Sequence, residues 1–227
     1  RFGIDLSTML GKSRWEVGQF HGVTPEQWQA HQETLLAHLP FRDFTYEIRP
    51  PSGEKRWFSI SGNPAFDENG DFAGYHGVGT DITERVHAAE QFRHLAHHDT
   101  LTDLPNRRLL GDRTEQALAL ARRSGHLVAL LLLDLDDFKL VNDTFGHLFG
   151  DRVLTWTAEL IRSTLRASDI PARYGGDEFA IILPETDAGE ARSAAERILT
   201  AFRDHAFVTE QRGPVPIAVS IGVATFP

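Results

Sequence analysis

Two apolar runs flank a Gly-Gly pair in the second half of the chain, and this arrangement constrains the fold most. Residues 170–174 and 179–183 have the composition of β-strands. Glycine supplies the positive φ that a tight hairpin turn needs, and the pair lies where such a turn would connect the two strands. The sequence therefore predicts a β-hairpin that carries Asp177 and Glu178 at its tip.

A third apolar run, residues 127–133, ends abruptly in an acidic cluster. A short continuous apolar segment is typical of a buried central strand, and α/β sheets bind ligands at the carboxyl ends of strands. If this strand lies beside the hairpin, Asp134 and Asp177 converge. Mg²⁺ prefers oxygen ligands and leaves positions for substrate phosphates. The pattern predicts a metal-dependent phosphoryl-transfer site, whereas Asp136 and Asp137 are predicted to cap the next helix.

The composition excludes several classes of function. A net charge of −9 over 227 residues argues against a nucleic-acid-binding surface, which normally carries a basic stripe. The absence of cysteine excludes disulfides and thiolate metal sites, and it fits a reducing compartment. No apolar run has the length of a membrane span, so we expect no membrane contact within the fragment. The chain begins at Arg1 rather than methionine, which suggests a fragment of a longer protein; any membrane anchor would then lie outside it.

The first part of the chain has the pattern of a small antiparallel sheet. Residues 44–80 alternate strand-like stretches with turn signals, which predicts three strands. A helix is predicted over residues 25–39, with Thr24 as its N-cap. Residues 81–98 are predicted to form a connecting helix with a narrow apolar seam. That seam fits either a parallel two-helix contact or packing on the chain's own sheet.

The second part alternates helices and strands, which predicts a mixed sheet covered by helices. The predicted elements, besides the central strand and the hairpin, are helices over residues 114–124, 138–148, 151–165 and 187–202, and a last strand over residues 217–226. Gly125 is expected to end the first of these helices, and Asp187 and Glu190 have the spacing of a capping box. Asp151 is expected to open the third helix, where a carboxylate favours the positive end of the helix dipole.

The acidic pattern from Asp134 to Asp151, followed by the segment from Arg173 to Phe179 with its Gly-Gly-Asp-Glu-Phe sequence, closely resembles the GGDEF family of diguanylate cyclases. Residues 101–108 resemble the segment that opens such domains. Residues 77–85 and the strands before them resemble the C-terminal part of a PAS sensor domain. The resemblance implies an α+β chain with three parts. They are a PAS domain at 1–80 that lacks its first strands, a signalling helix at 81–98, and a GGDEF domain at 99–227 that lacks its last helix.

The resemblance also implies an activity in the bacterial cytoplasm, the condensation of two GTP into cyclic di-GMP with release of two pyrophosphates. Two equivalent attacks are needed, so the catalyst is expected to be a homodimer. Mg²⁺ or Mn²⁺ would bind Asp134, the main-chain carbonyl of Leu135 and Asp177. Either Asp177 or Glu178 would activate the attacking 3′-hydroxyl. Lys139 would offset charge on the phosphate, although a solvated lysine is the plain alternative.

Further positions are implied to contact the nucleotide. Asn142 and Asp151 match positions that hydrogen-bond guanine, and a carboxylate can accept from N1 and N2 of that base. The remaining implied substrate contacts are Phe138, His147, Gly175 and Gly176. The alternatives are a helix-surface amide for Asn142 and a helix-end turn for His147.

A product-inhibition site is implied at Arg166 and Asp169, with Arg197 as the second arginine. Arginine meets a guanine edge or a phosphate in two places, although a helix-ending Arg–Asp ion pair would have the same sequence. A regulated cyclase is therefore expected. The competing hypothesis is a catalytically silent module that binds cyclic di-GMP or GTP. The sequence indicates no ligand for the PAS part.

Overall fold

The computed structural model describes residues 21–49, 53–209 and 213–227. The chain divides into two compact units, Arg1–Phe92 and Arg93–Pro227, which are called the N-terminal and the C-terminal unit below. Among the described helices, none combines the length and the apolar character that crossing a membrane requires.

The described part of the N-terminal unit is a helix followed by a three-stranded sheet. Its elements are α1 (Pro25–Leu36), β1 (Phe41–Ile48), β2 (Arg56–Phe66) and β3 (Phe72–Asp81). The strands pair antiparallel in the order β1-β2-β3, as the sequence predicts. Thr24 caps α1 in a capping box with Gln27. The helix ends three residues before the predicted end, and His38 just beyond it has a φ of 51°.

Aromatic rings connect α1 to this sheet. The rings of His31 and Phe44 stack with their centroids 3.7 Å apart, and those of His31 and Phe41 lie 4.9 Å apart. The hydroxyl of Tyr75 donates to the carbonyl of Leu39 over 3.0 Å. The helix is therefore held against the sheet mainly by ring contacts.

The connecting helix, α2 (Thr83–His97), begins two residues after the predicted start. Asp81 still belongs to β3, and its carboxylate accepts hydrogen bonds from both the N–H and the hydroxyl of Thr83. No residue of α2 is buried, and Phe92 on the predicted seam is 74% exposed. The seam is therefore open in the single chain.

The C-terminal unit is a helix-covered sheet. Its elements are α3 (Arg107–Ser124), β4 (Val128–Leu135), α4 (Phe138–Phe145), α5 (His147–Thr164), β5 (Ile170–Gly175), β6 (Glu178–Pro184), α6 (Ala188–Asp204), β7 (Phe207–Thr209), β8 (Gly213–Val215) and β9 (Val219–Phe226). Four strands form a sheet in the order β5-β6-β4-β9, so β4 is central as predicted. Every pair in this sheet is antiparallel, so the expected mixed sheet is wrong in strand direction while the α+β class is confirmed. Strands β7 and β8 form a separate pair that the sequence did not predict.

In the C-terminal unit, the largest differences from the predicted helix boundaries are at the start of α3 and around Gly146. Helix α3 begins seven residues early, because the side chain of Asn106 accepts from two backbone N–H groups and caps it there; it ends at Gly125 in the left-handed region, as predicted. The chain then breaks at Gly146, with a φ of 86°, so that α5 begins at His147. Asp151 is consequently the fifth residue of α5 and does not open that helix, and Leu148 is 84% exposed.

Strand β6 is buried on both faces, whereas β4 is buried on one face and partly exposed on the other, at Leu132. On β6, Phe179, Ile181 and Leu183 face a core formed with α5 and α6, whereas Ala180 and Ile182 face a smaller cluster formed with α3. The predicted capping box of Asp187 and Glu190 begins α6. Polar side chains lie at one end of the sheet, where β4 ends and the hairpin turns, because apolar side chains fill the rest of these strands.

Candidate active site

The predicted hairpin is present, and its turn consists of Gly176 and Asp177. Gly175 at the end of β5 pairs with Glu178 at the start of β6. Gly176 has a φ of 49°, whereas Gly175 needs no positive φ. Asp177 therefore lies at the tip, and Glu178 already belongs to β6.

Strand β4 brings Asp134 beside this hairpin. Asp134 is the direct partner of Glu178 on one side and of Ser220 in β9 on the other. The N–H of Leu135 lies 3.4 Å from the carbonyl oxygen of Asp177, which joins the end of β4 to the turn. Directly opposed residues in a sheet project from the same face, so Asp134 and Glu178 share a face.

The charges at this end of the sheet repel one another. Partial desolvation raises the pKa of the Asp134 carboxyl, and the negative charges of Asp177 and Asp136 raise it further. A divalent cation would offset this repulsion, and carboxylate and carbonyl oxygens are the ligands that Mg²⁺ and Mn²⁺ prefer. The donor set therefore fits the predicted metal. Within the described residues, no three acidic side chains place their oxygens within 4.8 Å of one another.

Of the two predicted helix caps, Asp136 is wrong, and Asp137 is correct in position only. Asp137 occupies the N-cap position of α4 in the left-handed region, with a φ of 56°, and its side chain makes no capping hydrogen bond. Asp136 instead accepts a 2.7 Å hydrogen bond from the hydroxyl of Ser220. This bond connects β9 to the loop after β4, so Asp136 braces the end of the central strand.

A groove of about 370 Å³ lies on the face of the sheet that carries the two opposed carboxylates. It is lined by residues of all four strands, among them Leu132, Asp134, Tyr174, Glu178, Ser220 and Gly222. Leu132 is 51% exposed although it is part of the central strand. The guanidinium of Arg107 lies 4.7 Å from the centre of the Tyr174 ring. The groove thus combines an acidic end with an apolar surface.

Asn142, one of the two predicted guanine contacts, lies against Gly150, the residue before the other. Asn142 belongs to α4 and is half-buried. A Cβ on Gly150 would come within 2.0 Å of Asn142 Oδ1 and 3.1 Å of the Phe138 ring. Glycine at 150 therefore allows α4 and α5 to approach each other. Asn142 then lies against the residue that precedes Asp151 in the sequence.

The other predicted phosphate and nucleotide contacts lie on the surface. Lys139 in α4 and His147 at the start of α5 are both exposed, and Phe138 is half-buried against the core. The geometry does not join Lys139 or His147 to the acidic end by a hydrogen bond or ion pair within the described residues. Their roles stay predictions.

The residues of the predicted product site line one recess. Arg166, Asp169 and Arg197 surround it together with Glu190 from α6. The Asp169 carboxylate accepts from the N–H of Arg166 over 2.9 Å, and no ion pair joins the two side chains among the described residues. The recess measures about 10 Å³, so a nucleotide here would lie on the surface and not inside it.

Arg173 is a functional candidate to which the sequence pattern assigned no role. Its guanidinium donates to the carbonyl of Gly176 over 3.0 and 2.7 Å and to Asp99 over 2.9 Å. Burial alone would raise the pKa of Asp99, but hydrogen bonds from Thr102 and the pairing with Arg173 outweigh it and hold that pKa below its usual value. The turn is therefore fixed by an ion pair with a residue 74 positions earlier. Arg173 begins the segment that contains the Gly-Gly-Asp-Glu-Phe sequence, but only the fold reveals that Asp99 is its partner.

Comparison with known proteins agrees with this geometry. Residues 96–227 match the family described as "Diguanylate cyclase, GGDEF domain", and residues 1–87 match the "PAS fold" family. A protein named "Diguanylate cyclase" from Vibrio cholerae is 41% identical over 208 residues, which is 91% of this chain and 64% of the relative. The bifunctional diguanylate cyclase/cyclic di-GMP phosphodiesterase MucR of Pseudomonas aeruginosa is 42% identical over 145 residues, 64% of this chain and 21% of that protein. The chain thus spans less than two thirds of the length of either relative.

Among solved structures, the coiled coil and GGDEF domain of DgcB from Caulobacter crescentus, in complex with c-di-GMP, is similar to this chain. It has a TM-score of 0.59 and 34% identity, covering 63% of this chain and 77% of that one. The family match includes more than half of the chain and all of the acidic end of the sheet. The chain belongs to the GGDEF family of diguanylate cyclases, and its N-terminal part has a PAS fold.

Proposed function

We propose that the chain is the regulated catalytic part of a diguanylate cyclase, which joins two GTP into cyclic di-GMP. The observation that carries this proposal is the position of Asp134 beside the hairpin turn at the end of the central strand, where partial desolvation and then the negative charges of Asp177 and Asp136 raise its pKa. A family match over residues 96–227 supports the same reaction. Residues 1–80 would be the sensor, 81–98 the signalling helix and 99–227 the cyclase.

In each half-reaction, the 3′-oxygen of one GTP forms a bond to the α-phosphorus of the other, and the bond from that phosphorus to the pyrophosphate oxygen breaks. Asp134, Asp177 and the Leu135 carbonyl would hold Mg²⁺ or Mn²⁺, which supplies positive charge for the phosphate oxygens. Asp177 or Glu178 accepts the proton of the attacking hydroxyl. Lys139 stabilises the negative charge that develops on the phosphate.

The base of GTP would lie between α4 and α5. Asn142 and Asp151 provide an amide and a carboxylate, which match the hydrogen-bonding edge of guanine. Phe138, His147, Gly175 and Gly176 are proposed to line the rest of the nucleotide site. Gly176 is well suited to this, because nothing lies within 4 Å of the position that its Cβ would take.

Two subunits must face each other, since one subunit holds one GTP and the product contains two. The exposed seam of α2, which includes Phe92 and Leu95, is the surface we propose for this homodimer. A signal in the sensor would change the alignment of the two cyclase units through this helix. Product bound at Arg166, Asp169 and Arg197 would inhibit further synthesis. The reaction consumes GTP, which places it in the cytoplasm.

The test is synthesis of cyclic di-GMP from GTP and Mg²⁺ by the purified chain, measured by chromatography. Asp134→Asn should lower the rate by at least about 100-fold, because it removes a metal ligand. The matched control is Asp143→Ala, an exposed carboxylate on α4, which should keep the rate within about twofold. Tight GTP or product binding by the unmodified chain without turnover would favour the silent receptor and overturn the proposal.

The same variant also has a defined effect on stability. The folded state raises the pKa of Asp134, so the ionised carboxylate destabilises the folded state at every pH above that raised pKa. Below the ordinary pKa range of aspartate, the carboxyl group is protonated in both the folded and the unfolded state, and the effect disappears. Without metal, Asp134→Asn should therefore raise the Tm at pH 7 slightly, on the order of 1–2 °C, and leave it unchanged near pH 3. A loss of activity together with this gain separates a chemical defect from misfolding.

A further inference from the structure

A cluster of two histidines and one aspartate lies at the end of α2, within the C-terminal unit. His94 and His98 are one helical turn apart, and their rings stack with centroids 4.3 Å apart. His94 Nε2 lies 2.8 Å from Asp103 Oδ1 in the following loop. One ligand atom from each of the three side chains lies within 4.8 Å of the other two, and no other such group occurs in the described residues.

The backbone prepares one of these rings for coordination. His98 Nδ1 lies 3.2 Å from the carbonyl oxygen of Asp103. A carbonyl only accepts, so Nδ1 carries the proton and Nε2 keeps a lone pair. Metal-binding histidines usually make this kind of hydrogen bond through their second nitrogen, because it fixes the tautomer and the orientation of the ring.

The spacing of the ligand atoms is close to what a small transition-metal ion requires. Bonds of about 2.0–2.1 Å in a tetrahedral site place ligand atoms roughly 3.4 Å apart. The 2.8 Å contact between His94 and Asp103 must open slightly, and the other two separations, which lie within 4.8 Å, must settle at roughly 3.4 Å. The side chains of His94 and Asp103 are 54% and 67% exposed, so small rotations and a completing water are available.

We propose that His94, His98 and Asp103 form a binding site for a divalent transition metal such as Zn²⁺, Co²⁺ or Ni²⁺. Imidazole nitrogen selects these ions over Mg²⁺, which prefers the oxygen ligands of the acidic end of the sheet. Arg162 donates to the carbonyl of Asp103 over 2.6 Å and brings one positive charge nearby. That charge opposes the cation, but solvent screens it at this exposed position.

The site is connected to the hairpin turn by short contacts. The N–H of Asp103 donates to the carbonyl of Asp99 over 2.9 Å, and Asp99 pairs with Arg173, which holds Gly176. A metal that joins the end of α2 to this loop therefore stiffens the support of the turn. Its effect on cyclic di-GMP synthesis rests on the proposed function, whereas metal binding itself does not.

The test is titration of the untagged full chain with Co²⁺ in excess Mg²⁺ and without GTP, followed by visible absorption and by calorimetry with Zn²⁺. We expect one site with nitrogen-type d–d bands in the unmodified chain and also in Asp134→Asn, which removes the acidic site. His94→Ala and His98→Gln should each weaken binding at least about tenfold. His87→Ala, on an exposed histidine of the same helix, should not change it.

Folding is checked separately. His94→Gln keeps a side chain that can donate to Asp103, so its Tm should match that of the unmodified chain while its Co²⁺ affinity falls. Equal affinity in the unmodified chain, His94→Ala and His98→Gln would overturn the proposal, as would absence of saturable binding in the unmodified chain. The cluster would then be a histidine–aspartate hydrogen bond only.

Discussion

The three-stranded sheet of the N-terminal unit and the four-stranded sheet of the C-terminal unit are both antiparallel, yet they are covered differently. In the C-terminal unit, β6 is buried on both faces and β4 on one, and the carboxylates of the candidate site lie at one end of the sheet. In the N-terminal unit, no residue of β3 is buried, and α1 contacts the sheet through aromatic rings. A densely packed sheet fixes the positions of groups at its ends, whereas ring contacts on an open sheet can rearrange at lower cost. The difference fits a catalytic platform in one unit and a responsive surface in the other.

Loss of the ion pair beneath the hairpin turn should have the largest effect. Asp99→Asn leaves the Arg173 guanidinium, which is 14% exposed, without its charge partner. We expect the free energy of unfolding of the C-terminal unit to fall by about 2–3 kcal/mol, with slower product synthesis because the turn is released. Urea denaturation and GTP turnover measure both effects.

The pH dependence and a control sharpen that result. The folded state lowers the pKa of Asp99, so its contribution is present above the ordinary range of aspartate and is lost as the pH falls through the lowered pKa. The difference between the two proteins should therefore vanish in strong acid. Glu196→Gln breaks the exposed pair with Arg192 and should cost less than about 0.5 kcal/mol. Equal costs for both variants would contradict a special role for Asp99.

A change at the close approach of α4 and α5 should have the next largest effect. In Gly150→Ala, the new methyl group overlaps Asn142 Oδ1 and must displace that side chain. We expect a loss of about 1–3 kcal/mol in stability and a rise in KM for GTP of about tenfold, with less change in kcat. Kinetics with GTP and with ITP, whose base lacks the 2-amino group, measure whether guanine recognition is affected. Gly111→Ala, where no atom lies within 4 Å of the new methyl group, is the matched control.

The smallest effect is expected in the N-terminal unit. Tyr75→Phe removes the hydroxyl that donates to Leu39, which should cost about 1 kcal/mol locally because the ring contacts remain. Hydrogen exchange should become faster in residues 25–39 and stay unchanged in β4 and β6. A slower cyclase rate without any change in exchange of the C-terminal unit would show that α1 affects catalysis by another route. Faster exchange in β4 would contradict the prediction that this substitution acts only on the N-terminal unit.

The parts of the fold that depend on neighbouring residues could be predicted from the sequence. The hairpin, the N-cap at Thr24, the capping box at Asp187, and the apolar strand β4 all have local signals, and each is confirmed. The predicted helix boundaries at residues 148 and 151 are wrong, because the apolar spacing continues through Gly146. Only the positive φ of Gly146 reveals where one helix ends and the next begins. Strand direction in the larger sheet was also wrong, since it depends on pairing between distant segments.

The candidate site follows the same division. The sequence predicts that Asp134 and Asp177 meet, because Asp134 follows a recognisable strand and Asp177 lies in the turn between two others. The structure brings them close enough to interact electrostatically. The bonds from Ser220 to Asp136 and from Arg173 to Asp99 connect residues 84 and 74 positions apart. Side chains such as these have no periodic signal, so their partners become known only when the chain is folded.

The ion pair between Asp99 and Arg173 also decides where the chain can be cut. A minimal fragment that begins after residue 99 would keep every carboxylate of the proposed metal site but lose the anchor of the loop at Gly176. Such a fragment would be expected to bind nucleotide loosely and to form less cyclic di-GMP than the longer chain under the same assay. Excision of the cyclase for crystallography or inhibitor screening should therefore start at or before Arg93, the first residue of the C-terminal unit.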